Sequence, residues 1–205
     1  MNLQERFSLH CLRFINDHQL IESLWREIDK NYTGTGRHYH NLQHLEHMFS
    51  ELDAVRDHIA DFATVTFSVF YHDVVYDAAS KTNEEKSAKF AALRMKRMNI
   101  DERTIEKVSE QIIATKTHHP SDDPGTSYLL DADLSVLGKD REAYRDYTRK
   151  IRKEYAIYPD FLYKPGRKKV LQHFLGLESI FKTDEFKNAY EDQARENIKW
   201  EIENL

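Results

Sequence analysis

One cysteine, six glycines and four prolines in 205 residues leave little material for disulfides, linkers or domain boundaries. The lone thiol, Cys11, excludes an internal disulfide framework, fits a reducing compartment and reads as a packed residue rather than a nucleophile. No apolar run approaches the roughly 18 residues that a membrane span needs. The opening Met1-Asn-Leu-Gln-Glu-Arg6 also lacks the basic-then-apolar plan of a secretory leader, so the expectation is a cytoplasmic protein with no membrane partner. Positive charge is in deficit too. A net charge of −5 and a pI of 6.1 provide no basic field for nucleic acid, and no aromatic-plus-basic stacking platform appears. Strand alternation, tandem repeats and low-complexity stretches are missing, which removes all-β, mixed-sheet and solenoid architectures.

Helical periodicity is present almost everywhere. With 40% hydrophobic residues the chain can bury a sizeable core, and one all-α domain over 1–205 is expected. Two helices run from Phe7 to Lys30 with a break near Asn16-Asp17-His18, and Gly34 and Gly36 mark a loop. From Asn41 to Val55, Leu42, Leu45, Phe49 and Leu52 take one face, while His40, His44, His47 and Glu51 share the other. Thr82-Asn-Glu-Glu85 reads as a capping box, and Asp101 as the cap of the next helix. Later helices are expected at about Arg141 to Tyr155, Arg167 to Phe181 and Asp184 to the C-terminus.

The stretch Val65 to Asp77 is apolar nearly all round yet contains His72-Asp73. A helix apolar on every side belongs in a core. Burying an imidazole beside a carboxylate costs several kcal/mol unless both find partners, and a divalent cation satisfies both. A plain His–Asp hydrogen bond is the competing reading. On Tyr128 to Leu137, a helical wheel places Asp133 among Leu129, Leu130 and Leu137, with Asp131 roughly 160° away, so Asp133 reads as the buried acid. His40, the His72-Asp73 pair and Asp133 thus offer two imidazoles and two carboxylates from three helices. That donor set suits Zn, Mn, Fe, Co or Ni, and Mg less well.

His72 follows His40 by 32 residues, and Asp133 follows Asp73 by 60. This ordered H…HD…D pattern resembles the HD superfamily of metal-dependent phosphohydrolases, with local strings similar to its predicted-phosphohydrolase branch. Those strings are Tyr39-His-Asn-Leu-Gln-His44, Tyr71-His-Asp-Val-Val-Tyr76, Asn83-Glu-Glu-Lys-Ser-Ala88 and Leu130-Asp-Ala-Asp-Leu134, within a resemblance spanning roughly 20–180. The resemblance implies a helical bundle in which His40, His72, Asp73 and Asp133 hold one divalent ion and activate a water toward phosphorus. It further implies that Asp73 orients that water and that Arg37 matches a basic residue suited to phosphate.

Other residues carry open alternatives. His44 could support a ligand, donate to phosphate or belong to a solvated face. His118 ends a helix and could contact substrate, or be an ordinary C-terminal histidine favoured by the helix dipole. Glu84 could be a general acid, or a first-turn acid favoured for the same reason. Asp77 could hold a ligand histidine or cap a helix, and Lys164-Pro-Gly-Arg-Lys-Lys169 could open a helix as an anion site. The expected activity is hydrolysis of a small phosphorylated molecule, a nucleotide or other phosphomonoester. A catalytically silent metal-containing sensor and a di-iron oxygenase of the same superfamily are the alternatives.

Overall fold

The periodicity is realised as ten α-helices, two short 3₁₀ turns and no strand, in a computed structural model that describes residues 1–205. The helices are α1 (Leu3–Cys11), α2 (His18–Tyr32), α3 (Leu42–Ala54), α4 (Phe62–Tyr71), α5 (Asn83–Arg97), α6 (Glu102–Ala114), α7 (Pro124–Leu134), α8 (Arg141–Glu154), α9 (Asp160–Gly176) and α10 (Asp184–Asn204). None is long and apolar enough to cross a membrane.

The apolar stretch becomes α4, and it lies at the centre. Thr64 to Tyr71 are all buried, and α1, α3, α5, α6 and α7 pack around them. Asp61 starts the helix by accepting from the Thr64 amide. The buried hydroxyls of its Thr and Ser residues are satisfied locally, Thr66 donating to the Phe62 carbonyl and Ser68 to the Thr64 carbonyl, whereas the buried Tyr71 hydroxyl at its end has no partner. A single cluster of 39 buried side chains runs through the bundle, from Phe7 and Leu24 to Phe186 and Ile198. One contiguous core argues against a division into separately packed units.

Expected and observed boundaries differ where polar side chains redirect the backbone. The α4 helix stops at Tyr71, not Asp77, so His72 is its C-cap and Asp73 lies in the turn beyond. That turn is tied down from both flanks. Arg37 donates to the carbonyls of His40, Asp73 and Val74 at 2.9, 2.7 and 3.1 Å. Ser87 exchanges two hydrogen bonds with the Val75 backbone, and Asn83 does the same with Asp77. The Asn83-Glu-Glu-Lys-Ser-Ala88 string therefore buttresses the turn through Asn83 and Ser87. Thr82 makes no side-chain cap bond, which corrects the capping-box expectation. Asp77 accepts from the Ala79 amide in its own turn and touches no histidine.

On α9 the expected start at Arg167 is seven residues late, because the helix already begins at Asp160 and carries Pro165 inside. Proline removes the bond to the Phe161 carbonyl, and Phe161 is 74% exposed, where water can satisfy that oxygen. Lys164 to Lys169 are consequently mid-helix, and no free helix-opening amides exist there to bind an anion. Asp131 is also corrected: it is fully buried, on the side of α7 away from Asp133. It accepts from the Lys182 and Thr183 amides and the Thr183 hydroxyl, anchoring the start of α10.

Candidate metal centre

The end of α4 delivers His72 into a group formed with α3 and α7. His72 Nε2 lies 3.2 Å from His44 Nε2 and 3.1 Å from Asp73 Oδ2. Asp133 Oδ1 is 3.1 Å from His44 Nε2 and 3.8 Å from His72 Nε2. Donor atoms about 2.0–2.2 Å from a shared cation sit roughly 3.0–3.6 Å from one another, so His44, His72 and Asp133 have spacing that fits one metal ion. Asp73 joins the group through His72. His40 stands at its edge, with Nε2 4.0 Å from Asp73 Oδ2.

The structure thus brings together His40, His72, Asp73 and Asp133, and adds His44 to their number. His44 is 3% exposed, and its Nε2 meets His72 and Asp133 in the donor cluster. His118 follows α6 in a left-handed conformation, φ 52°, and its Nε2 is 2.9 Å from Asp133 Oδ2. Both nominated carboxylates therefore have imidazole partners.

Hydrogen bonds at the far ring nitrogens set which nitrogen faces the cluster. His72 Nδ1 bonds the Val69 carbonyl at 2.9 Å, leaving Nε2 as the inward atom. His40 Nδ1 bonds Glu154 Oε2 at 2.6 Å, with the same result. Glu154 also accepts from the Tyr39 and His40 amides and the Tyr76 hydroxyl, so one buried carboxylate fixes the His40 segment. Tyr76 closes the other side by stacking on the His40 ring at 4.2 Å. Carboxylates in this position behind ligand histidines orient the ring and raise its basicity.

Electrostatics reflect a cluster built for positive charge. Burial opposes the His72 cation, but Asp73 and Asp133 outweigh it and push the pKa up to about 9. Burial likewise opposes the charge on Asp73 and Asp133, yet the surrounding histidines hold both carboxyls below the usual range. Glu154 is buried as well, and His40 and two backbone amides bring it down to about 2. The same carboxylates, with Glu154, also raise His40 against its burial, so both rings are drawn toward the charged form.

The cluster borders a cavity of about 510 Å³ whose lining includes His40, His118 and Asp133, with α8 and α9 supplying much of the remaining wall. Two nominated residues fall outside both the cluster and the cavity. Arg37 spends its guanidinium on three backbone carbonyls and does not line the cavity, so its expected catalytic and phosphate-binding roles are replaced by that of a clamp on the ligand turn. The Glu84 side chain makes no hydrogen bond and does not line the cavity, which removes the geometric basis for a general acid there.

Glu154 and Tyr147 are the site residues that sequence reasoning overlooked, and Arg167 was named only as part of the Lys164–Lys169 basic stretch. A signal existed for Glu154: Tyr144, Tyr147, Ile151 and Glu154 share one face of α8, so an acid interrupts an otherwise apolar stripe. Comparisons with protein families, curated proteins and solved structures find no match to this chain.

Proposed function

We propose that the chain is a metal-dependent phosphohydrolase of the HD type, acting on a small phosphorylated molecule at the floor of this cavity. The observation that supports it is convergence: His40, His44, His72, Asp73 and Asp133 come from three separate regions of sequence to one point beside a space of substrate size. A His–Asp pair that only positioned a helix would need none of the other three. One divalent ion held there, Mn, Co, Ni, Zn, Fe or Mg, would acidify a coordinated water and polarise a phosphoryl oxygen.

The chain's own residues supply the rest. Asp73, 14% exposed at its side chain and 3.1 Å from His72 Nε2, would orient the attacking water. His118 lines the cavity while bonded to Asp133, a position from which an imidazole can donate a proton to the leaving oxygen. Glu154 and the Val69 carbonyl keep the imidazoles of His40 and His72 turned inward.

The test is elemental analysis of protein purified without added metal, followed by phosphate release from a panel of esters. About one equivalent of metal is expected in the wild type and none in His72→Ala/Asp73→Ala, with turnover in the first only. No metal in either, even after reconstitution with Mn, Co, Ni or Zn, would return His72-Asp73 to a structural hydrogen bond. Stoichiometric metal with no ester cleaved would leave a metal-containing binding module.

A further inference from the structure

The cavity wall contributed by α9 is chemically unlike the metal-bearing floor. Tyr163, Val170 and Phe174 of α9 line it, joined by Tyr155 and Tyr158 from the segment before that helix, and 13 of the 19 residues lining the cavity as a whole are hydrophobic. Among them sit only two cations, and they are engaged differently. Lys116 is exposed and tied to Glu85 and to the Lys81 carbonyl. Arg167 is held from behind: Nε and Nη2 bond both carboxylate oxygens of buried Glu201 at 2.7 and 3.0 Å, and Nη2 also meets the Tyr147 hydroxyl at 3.3 Å. Its Nη1 makes no hydrogen bond, although the residue lines the cavity.

This arrangement is that of a recognition group. A bidentate carboxylate fixes the guanidinium plane, so the free nitrogen needs little further ordering to bind an acceptor. Glu201 compensates the charge, so Arg167 suits a single oxygen or phosphoryl edge better than a polyphosphate. Around it, the rings of Tyr155, Tyr158, Tyr163 and Phe174 supply aromatic surface on which a flat group can stack. Gly166, adjacent on the same wall, leaves open space where a side chain would stand, with no heavy atom within 4 Å of the point to which a Cβ would project.

Resting on the phosphohydrolase reading, we propose that α9 forms the substrate-selecting wall. Arg167 Nη1 donates to an oxygen of the substrate, and the space beside Gly166 takes a flat aromatic group esterified to a single phosphate. Aryl monophosphates are then favoured over glycerol phosphate, and pyrophosphate is a poor substrate.

The experiment uses full-length, metal-loaded protein with naphthyl phosphate, glycerol phosphate and pyrophosphate as probes, together with calorimetric binding of naphthyl phosphate to the metal-free protein. In the wild type kcat/KM for naphthyl phosphate should exceed that for glycerol phosphate at least tenfold. Gly166→Leu fills the open space without a clash and gains helix propensity, and should shrink that ratio to below about threefold. Arg167→Met should raise KM for naphthyl phosphate about tenfold or more at constant metal content. Because that change strands Glu201, Arg167→Met/Glu201→Gln is the folded alternative, with the same expected rise. Equal turnover of naphthyl and glycerol phosphates, with a ratio that Gly166→Leu does not move, would overturn the selecting wall and leave the hydrolase reading standing. If no ester is cleaved, the hydrolase reading fails by itself. Naphthyl phosphate binding that Gly166→Leu weakens tenfold would still support the wall, and binding that is absent or indifferent to Gly166→Leu would refute it.

Discussion

Helix α4 is flanked by two buried histidines, and they behave in opposite ways. His10, on α1, packs edge-on against Phe67 with ring centroids 4.3 Å apart and against Phe14 at 5.5 Å, and its Nε2 has no hydrogen-bond partner. Burial, followed by the charge of Arg13, pushes its pKa down to about 4. His72, at the other end of the helix, is buried at least as deeply, yet its pKa is about 9. Exposure alone cannot separate them, at 7% and 1%. What separates them is the carboxylates: Asp73 and Asp133 face one ring, and aromatic carbon faces the other. A buried histidine becomes a ligand candidate through its counter-charges, since burial by itself keeps an imidazole neutral.

The largest expected difference is in metal affinity. His72→Leu should weaken binding by well over 100-fold, beyond the loss typical of an outer partner, while His10→Leu should leave it unchanged. Titration calorimetry on both variants checks this, and equal losses would abolish the distinction. A second change should turn one histidine toward the other's behaviour. Asp73→Asn removes the leading favourable charge from His72, so its pKa in the metal-free protein should fall from about 9 by roughly two units or more. Ring-proton NMR across a pH series measures it directly. A pKa still near 9 would mean that Asp133 alone sustains the cation.

Glu154→Gln comes next. It keeps the shape, and its carbonyl oxygen can still accept from the Tyr39 and His40 amides, but it loses the charge behind His40. Metal affinity should drop about 10–100-fold, the range for partners of ligand histidines. A loss below threefold would place His40 outside the ligand group and leave His44, His72 and Asp133 as its working members.

The ability to read these differences from sequence follows the range of the forces involved. Helix existence was legible because periodicity is local: α3, α8 and α10 lie within one or two residues of expectation. The helical wheel separated Asp133 from Asp131 but ranked their burial the wrong way round: Asp131 is fully buried against the start of α10, whereas Asp133 is half-buried and faces the histidines. His40 to Glu154 spans 114 residues, and nothing local announces such a pairing. Arg37 shows the same limit from the other direction. The family resemblance implies a phosphate ligand there, whereas tertiary packing gives its donors to the His40 carbonyl and to the Asp73 and Val74 carbonyls left open once α4 ended at Tyr71. Glu84 stood beside the residues that matter, Asn83 and Ser87, and the string alone could not say which of them faced the ligand turn.

The smallest predicted effect concerns stability, and it lies wholly on the His10 side. A histidine whose folded-state pKa is depressed binds its proton more weakly in the native than in the unfolded chain. Between about pH 6.5 and about pH 4 the unfolded chain therefore carries the extra proton, and stability falls as pH falls through that window. From pH 7 to pH 5 the loss from this one residue amounts to roughly 2 kcal/mol. His10→Leu removes the titrating group and the unpartnered Nε2 together, so its stability near pH 7 should match or exceed that of the wild type. Urea unfolding of metal-free protein at pH 7 and pH 5 gives the comparison, with the pH-induced loss smaller in the variant by about 2 kcal/mol. If both proteins lose the same amount, His10 titrates normally and the dry end of α4 is wetter than its packing against Phe67 indicates. A smaller loss in His10→Leu, with metal affinity untouched, would separate the imidazole that packs from the imidazole that binds.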